Sequence, residues 1–287
     1  MIRSIPQSGA FKLGYGAYVL VFFVYLFAPL VVVGVFAFND SQFPSLPWRG
    51  FTLDWFLSST GRIGIFHDNG LIGSVGTSLK VGVAVTALSV TVGTVNAFLL
   101  ERARFPGKSV LYTMMLWPLV IPGVILGVSI LQFSSTIANT LEDTVGFRID
   151  SLRPGLPLVV LGQFSFIVTI ASLVIAARLR RFDMALEEAA LDLGATRWEA
   201  VRTITLPYLR PAMIGAGIIS FLMSFENFNT TLMLVGSEAP VTIRMFTQIR
   251  EGTTPVVNAL SLLLIIVMAC AALGLLFTGE RKREHAR

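Results

Sequence analysis

Few side chains in this sequence can do chemistry, and most of those sit among apolar neighbours. Two histidines, His67 and His285, and one cysteine, Cys270, occur in 287 residues. One cysteine excludes an intramolecular disulfide and a Cys-based zinc site, and two histidines leave no candidate Ser-His-Asp set. His67 falls in a polar connecting segment and His285 in a basic tail, which reads both as solvated surface residues. There is no G-x-x-x-x-G-K-S/T loop to cradle ATP phosphates, and neither G-x-S-x-G nor H-E-x-x-H occurs. Glu226 is different. A carboxylate inside an apolar run costs about 2.5–3.5 kcal/mol on the insertion scale and is by default a functional candidate. Ser224, Asn227, Asn229 and Thr231 surround it in sequence, so a charge and several hydrogen-bonding groups could line a path for a polar solute. Ser220, Ser224, Asn227 and Thr231 share one helical stripe, with Glu226 about 100° away from Asn227. Lys80 also lies in an apolar run, close enough to one end to snorkel to water.

The elements that carry these residues follow from composition. Only 14% of residues are charged, 54% are hydrophobic and mean hydropathy is +0.75. Soluble domains carry about 25% charged residues. A soluble enzyme, a disordered chain and a secreted disulfide scaffold are therefore excluded, and the chain reads as an all-α polytopic membrane protein. About 20 apolar residues cross the hydrocarbon at 1.5 Å per residue. Six such runs are expected, at 14–38, 72–100, 109–133, 156–178, 210–235 and 257–278. Their continuity excludes a barrel of short alternating strands. The first run is too long for a signal peptide and lacks an A-x-A site, so it reads as a retained helix. The expected organisation is a tail over 1–13, a six-helix domain over 14–278 with a connecting loop at 179–208, and a basic tail over 279–287.

Orientation follows from Lys and Arg placement. Fifteen fall in the tails and the 101–108 and 178–210 connections, against six in the 39–70, 134–155 and 236–256 segments. Positive residues stay inside, so both termini are expected in the cytoplasm. The net charge of +5 is this bias and calls for no nucleic acid.

The 179–208 loop carries the most specific pattern. Asp183 is a plausible N-cap, and Glu187 and Glu188 sit in the first turns, where the helix dipole favours carboxylates. Gly194 can close the helix in the left-handed conformation, and Thr196 with Glu199 forms a T-x-x-E capping box for the next one. Pro207 and Pro211 are expected to break it before the fifth run. Leu186, Ala189, Ala190 and Leu193 form a narrow stripe between acids. Such a helix can lie on a bilayer surface, but small residues beside carboxylates suit a protein groove. In the third run, Gly123 and Gly127 signal close packing or a lined path, and Pro118 and Pro122 should kink or open the helix.

Glu188-Ala189-Ala190, then Gly194, Ile204 and Leu206-Pro207, resemble in spacing the EAA signature of ABC importer permeases. Phe38-Asn39-Asp40-Ser41, Trp48-Arg49-Gly50-Phe51-Thr52 and Ser220–Asn227 are similar to the spermidine/putrescine branch. The resemblance covers essentially the whole chain and implies a type I importer permease in the bacterial inner membrane. It implies that Glu187, Glu188, Ala189, Ala190, Asp192, Gly194, Ala195, Ile204, Leu206 and Pro207 couple the chain to an ATPase. The implied partners are two ATPase subunits that hold ATP and Mg, a second permease in a heterodimer, and a periplasmic solute-binding protein. No cofactor is implied in this chain itself, and no catalysis. The pathway residues it points to are Glu226, Asn227, Ser224, Asn229 and Thr231. The solute is a polyamine or another amine, and that branch pairs two acids where this chain has Glu226-Asn227, so a less cationic solute fits as well. Two other classes compete. A proton-coupled carrier could use Glu226 but should show an internal repeat; an intramembrane enzyme needs a nucleophile–base pair or clustered acids, which one lone glutamate does not supply.

Overall fold

The structure is a computed structural model that describes residues 8–60, 63–252 and 254–284, with side-chain surroundings up to 270. Arg3, His285 and the end of the basic tail lie outside the described residues. Among the described residues twelve α-helices follow in order: α1 Gly9–Phe36, α2 Asp54–Leu57, α3 Asn69–Arg102, α4 Lys108–Val120, α5 Gly123–Val145, α6 Leu156–Leu179, α7 Ala185–Asp192, α8 Arg197–Ala200, α9 Leu206–Phe225, α10 Asn229–Leu234, α11 Val241–Gly252 and α12 Pro255–Glu284. Among the described residues five stretches are long and apolar enough to span: α1, α3, α5, α6 and the continuous helix Arg197–Phe225. A sixth, shorter apolar stretch occupies Pro255–Cys270 of α12. Contacts divide the chain into residues 1–72 with 245–287, and residues 73–244.

In the first unit α1 packs on α12, where Gly34 brings its backbone close to Leu262. The segment after α1 is built around Asn39, which is fully buried. Its Nδ2 donates to the Ser45 carbonyl (3.1 Å), its Oδ1 accepts from the Arg49 amide (3.0 Å), and its carbonyl accepts from Trp55 Nε1 (2.8 Å). Phe38 stacks on Phe51 and Phe56, so the 38–41 and 48–52 motifs meet in one small knot.

The second unit is held by close crossings of small residues, the usual way for helices to associate in lipid. Ala97 of α3, Ala171, Ile175 and Ala176 of α6, and Leu209 and Ala216 of α9 form one buried cluster. A Cβ added at Gly93 would stand 3.0 Å from Ala171 Cβ. One added at Gly127 would stand 2.9 Å from Met233 Cβ and 3.0 Å from the Thr230 carbonyl. The Gly123/Gly127 pair thus lets α5 press against α10.

Three expectations about the helices need correction. The 109–133 run is not one helix: it breaks at Ile121-Pro122, where Ile121 is extended (ψ 128°), and the spanning helix is α5. Proline disfavours helical conformation in the residue before it, and at Pro122 that preference prevails, as the expected opening there has it, whereas α4 runs on through Pro118. Pro207 and Pro211, in contrast, do not break the chain. A π-helical turn at Val201–Thr205 joins α8 to α9, with the Leu206 amide bonded to the Val201 carbonyl. The missing amide of Pro207 falls where the register changes from π to α, so the helix runs on. Finally, the fifth run is interrupted between α9 and α10.

Candidate functional site

The loop after α6 is positioned by pairs of side chains at its base. Arg180 grips Glu101 bidentately, Nε to Oε2 at 3.1 Å and NH2 to Oε1 at 2.7 Å. That hydrogen-bonded carboxylate raises the arginine pKa further above its ordinary value. Arg178 lies 4.2 Å from the Tyr208 ring centroid, and Phe182 meets Tyr208 edge-on. The Asp183 carboxylate accepts from the Ala185 amide, one residue earlier than a regular cap of α7.

The end of α7 is a complete Schellman turn. Gly194 has φ +88°, its amide donates to the Leu191 carbonyl (2.9 Å), and the Ala195 amide donates to Ala190 (3.0 Å). The capping box expected at Thr196 and Glu199 is present: the Thr196 amide donates to Glu199 Oε2 (2.7 Å) and the Glu199 amide to Thr196 Oγ1 (3.2 Å). The Thr196 amide and hydroxyl hold the Glu199 carboxyl below its usual pKa.

The loop residues divide by side. Glu188, Ala189, Asp192, Gly194 and Pro207 are exposed, and Ala190, Ala195 and Leu206 are half-buried. With them, Leu186 is 51% exposed, Leu193 90% and Trp198 67%. The eight-residue α7, with Leu193 at its C-cap, therefore presents an apolar strip edged by acids. Two of the expected coupling residues face the other way. Ile204 packs on the inner cluster, and Glu187 is only 8% exposed. Glu187 Oε2 pairs with Arg102 NH1 at 2.8 Å, and Oε1 accepts the Thr205 hydroxyl. Helical rotation explains this: Glu187 lies about 100° from Leu186, off the outer strip.

The polar residues of the fifth run also separate. Gln163 of α6, 1% exposed, donates from Nε2 to Thr231 Oγ1 (2.8 Å) and accepts at Oε1 from Ser224 Oγ (2.5 Å). Asn227 Oδ1 accepts from the Thr231 amide and hydroxyl, and Thr242 Oγ1 donates to the Asn227 carbonyl. Ser224, Asn227 and Thr231 thus form an internal knot that holds the α9–α10 interruption. Glu226, at the C-cap of α9, and Asn229, opening α10, are exposed instead. Ser220 is buried without a hydrogen-bond partner among the described residues.

Residues 89–279 match the family of binding-protein-dependent transport system inner membrane components. The chain belongs to that family. It is the permease component of an ABC importer. Over 245 residues the permease is 30% identical to the putrescine transport system permease protein PotI of Escherichia coli (strain K12), covering 85% of this chain and 82% of PotI. It is 32% identical over 219 residues to the molybdenum transport system permease protein ModB of the same strain, covering 73% and 93%. Its fold is similar, at TM-score 0.69 and 13% identity, to a bacterial ABC transporter involved in the import of the acidic polysaccharide alginate, over 95% of this chain and 98% of that one.

Three residues that organise the permease's loop and helix break carried no mark in the sequence reading. Arg102 counted only as a topogenic charge, and Thr205 only as a spacer in the motif. Gln163 had a usable signal, the one amide side chain in the 156–178 run.

Proposed function

We propose that the permease forms half of a translocation pathway for a small cationic amine and is driven through α7 by a separate ATPase. The observation that carries this is the outer strip of α7. Leu186, Ala189 and Leu193 project together from a helix of 8 residues, capped at Gly194 and stiffened by the following capping box. So short a helix is marginal alone, and an exposed apolar strip edged by carboxylates fits a groove on another protein. Both termini and this loop then lie in the cytoplasm, in keeping with the positive-inside count. A second permease completes the pathway as a heterodimer, and a solute-binding protein delivers solute at the opposite face. ATP and Mg belong to the ATPase subunits.

Glu226 supports the cationic solute. Its carboxylate stands exposed at an interrupted helix, while Gln163, Ser224, Asn227 and Thr231 hydrogen-bond one another and keep the interruption open. A carboxylate there attracts a cation and opposes an anion, and the effect strengthens as water is excluded. The likeness to a putrescine permease agrees with that sign. Two assays test the reading. Leu193→Asp and Leu186→Asp are expected to abolish co-purification of the ATPase subunit at normal membrane levels; retained co-purification overturns the docking. Uptake of labelled putrescine is expected to fall strongly in Glu226→Gln with ATPase binding intact, and unchanged uptake retires the cation site.

A further inference from the structure

Glu187 is the one buried residue of α7, and it is a carboxylate. Its two oxygens are held by different elements. Oε2 takes NH1 of Arg102, the last residue of α3, and Oε1 takes the hydroxyl of Thr205, which is fully buried in the π-helical turn that opens α9. The guanidinium of Arg102 is itself fixed, with its centre 5.0 Å from the Phe98 ring centroid and 5.5 Å from that of Phe182. Phe182 belongs to the strand of chain between α6 and α7 and rests edge-on against Tyr208 of α9. One carboxylate therefore joins α7 to the ends of two membrane helices, across 85 residues on one side and 18 on the other.

Packing alone does not call for this arrangement. An apolar side chain of similar volume often gives equal or greater stability than a buried ion pair, because two charges must be desolvated. What a charged pair adds is direction, since hydrogen bonds hold one geometry where an apolar contact can slide. The outer face of α7 is left free for another protein, and its inner face has no other buried side chain. Any displacement of α7 must then reach the bilayer through the helix's own chain ends or through Glu187. Nε and NH2 of Arg102 are buried without a hydrogen-bond partner. These spare donors allow the guanidinium to keep hold of the carboxylate as α7 shifts. The π-turn is the other yielding point, because its widened register is an interruption of the regular ladder.

We propose that the Arg102–Glu187–Thr205 tether is the positioning device that transmits movement of α7 into α3 and α9. This rests on the reading of α7 as the ATPase-docking helix. The tether is distinct from the docking face, since Glu187 is turned away from it.

The test uses the complete importer, with both permeases, its ATPase and its binding protein. Amide hydrogen exchange is compared with and without ATP and vanadate. In the unaltered complex the nucleotide is expected to change exchange in 185–193 and also in 94–102 and 201–209. In Glu187→Gln and in Thr205→Val the change in 185–193 persists. That in 94–102 and 201–209 is expected to fall about fivefold or more, the lower end of ordinary coupling between sites. ATP hydrolysis continues while solute moved per ATP falls in parallel, a split that simple loss of folded protein does not produce. Thr205→Val is nearly isosteric and carries the test if Glu187→Gln lowers membrane levels. Unchanged transmission in both variants overturns the tether, as does an unaltered complex in which 185–193 responds and the two helix segments do not. Failure of the docking reading looks different, because 185–193 then fails to respond in the unaltered complex.

Discussion

Gly194 offers the most direct mechanical test of the loop. Its φ of +88° lies in the left-handed region, and a Cβ placed there meets nothing within 4 Å. A substitution therefore adds backbone strain without a steric clash, which makes the magnitude simple to work out. A left-handed residue with a Cβ costs roughly 1–2 kcal/mol, which corresponds to about 5- to 30-fold in an equilibrium constant. Val, β-branched, belongs at the upper end, and Asn, which tolerates this conformation, near zero. If the strained turn relaxes, the amides of Gly194 and Ala195 lose the Leu191 and Ala190 carbonyls and the outer strip of α7 changes its aim. Binding of the purified ATPase subunit to permease in nanodiscs, read by titration, is expected to weaken by that factor in Gly194→Val. Gly194→Asn is expected to bind as the unaltered protein does. Equal binding by Val and Asn would refute the idea that the left-handed turn sets the docking geometry.

Other outcomes follow from single contacts. Gln163→Leu leaves the buried Ser224 hydroxyl without its acceptor, at a cost of about 1–3 kcal/mol, while the Thr231 hydroxyl keeps its bond to Asn227 Oδ1; the melting temperature in detergent is expected to drop, and adding Ser224→Ala should recover much of it. Gly127→Ala forces a methyl against Met233 Cβ and the Thr230 carbonyl, and a loss of about 1–3 kcal/mol is expected from overpacking, read by the same melt. The capping box has an acid limit. The carboxyl of Glu199 has a lowered pKa in the folded loop, so its contribution is complete above its ordinary value of 4.5 and is lost as pH falls below that toward the folded pKa. Exchange of the Thr196 amide, which the carboxylate holds, should therefore lose protection on acidification, and Glu199→Gln should remove that pH dependence.

Much of this architecture was legible because it is written in local signals. The runs at 72–100 and 156–178 correspond to α3 and α6, and the break at Pro122 was marked by the proline itself. Gly194 and the Thr196–Glu199 box were readable for the same reason, since caps depend on residues three or four positions apart. The interruption at 226–228 contains neither Gly nor Pro, and it is held from outside by Gln163, more than 60 residues earlier. A helical stripe through Ser224 and Thr231 was the natural reading, and tertiary hydrogen bonds override it. The inward orientation of Glu187 was hidden for a related reason. A helix dipole favours an acid in the first turn without fixing which face it takes, and here Arg102 from the end of α3 and the Thr205 hydroxyl hold this one on the inner side. The continuous helix through Pro207 depends on a π-turn, for which no local residue pattern is specific.

The central claim, that the outer strip of α7 seats in the ATPase, is tested most directly by site-directed cross-linking in the assembled importer. A Cys270→Ser background provides single cysteines at Leu186, Leu193 and Trp198, with Ile204 as an inward control and Phe147 as a control beyond the other end of α5. A short thiol-reactive photo-cross-linker is expected to join the three outer positions to the ATPase subunit, with yields that change when ATP and vanadate are added. Ile204→Cys and Phe147→Cys are expected to give no such product. Cross-links to the ATPase from Phe147, or their absence from all three outer positions in an importer that still transports, would contradict the account.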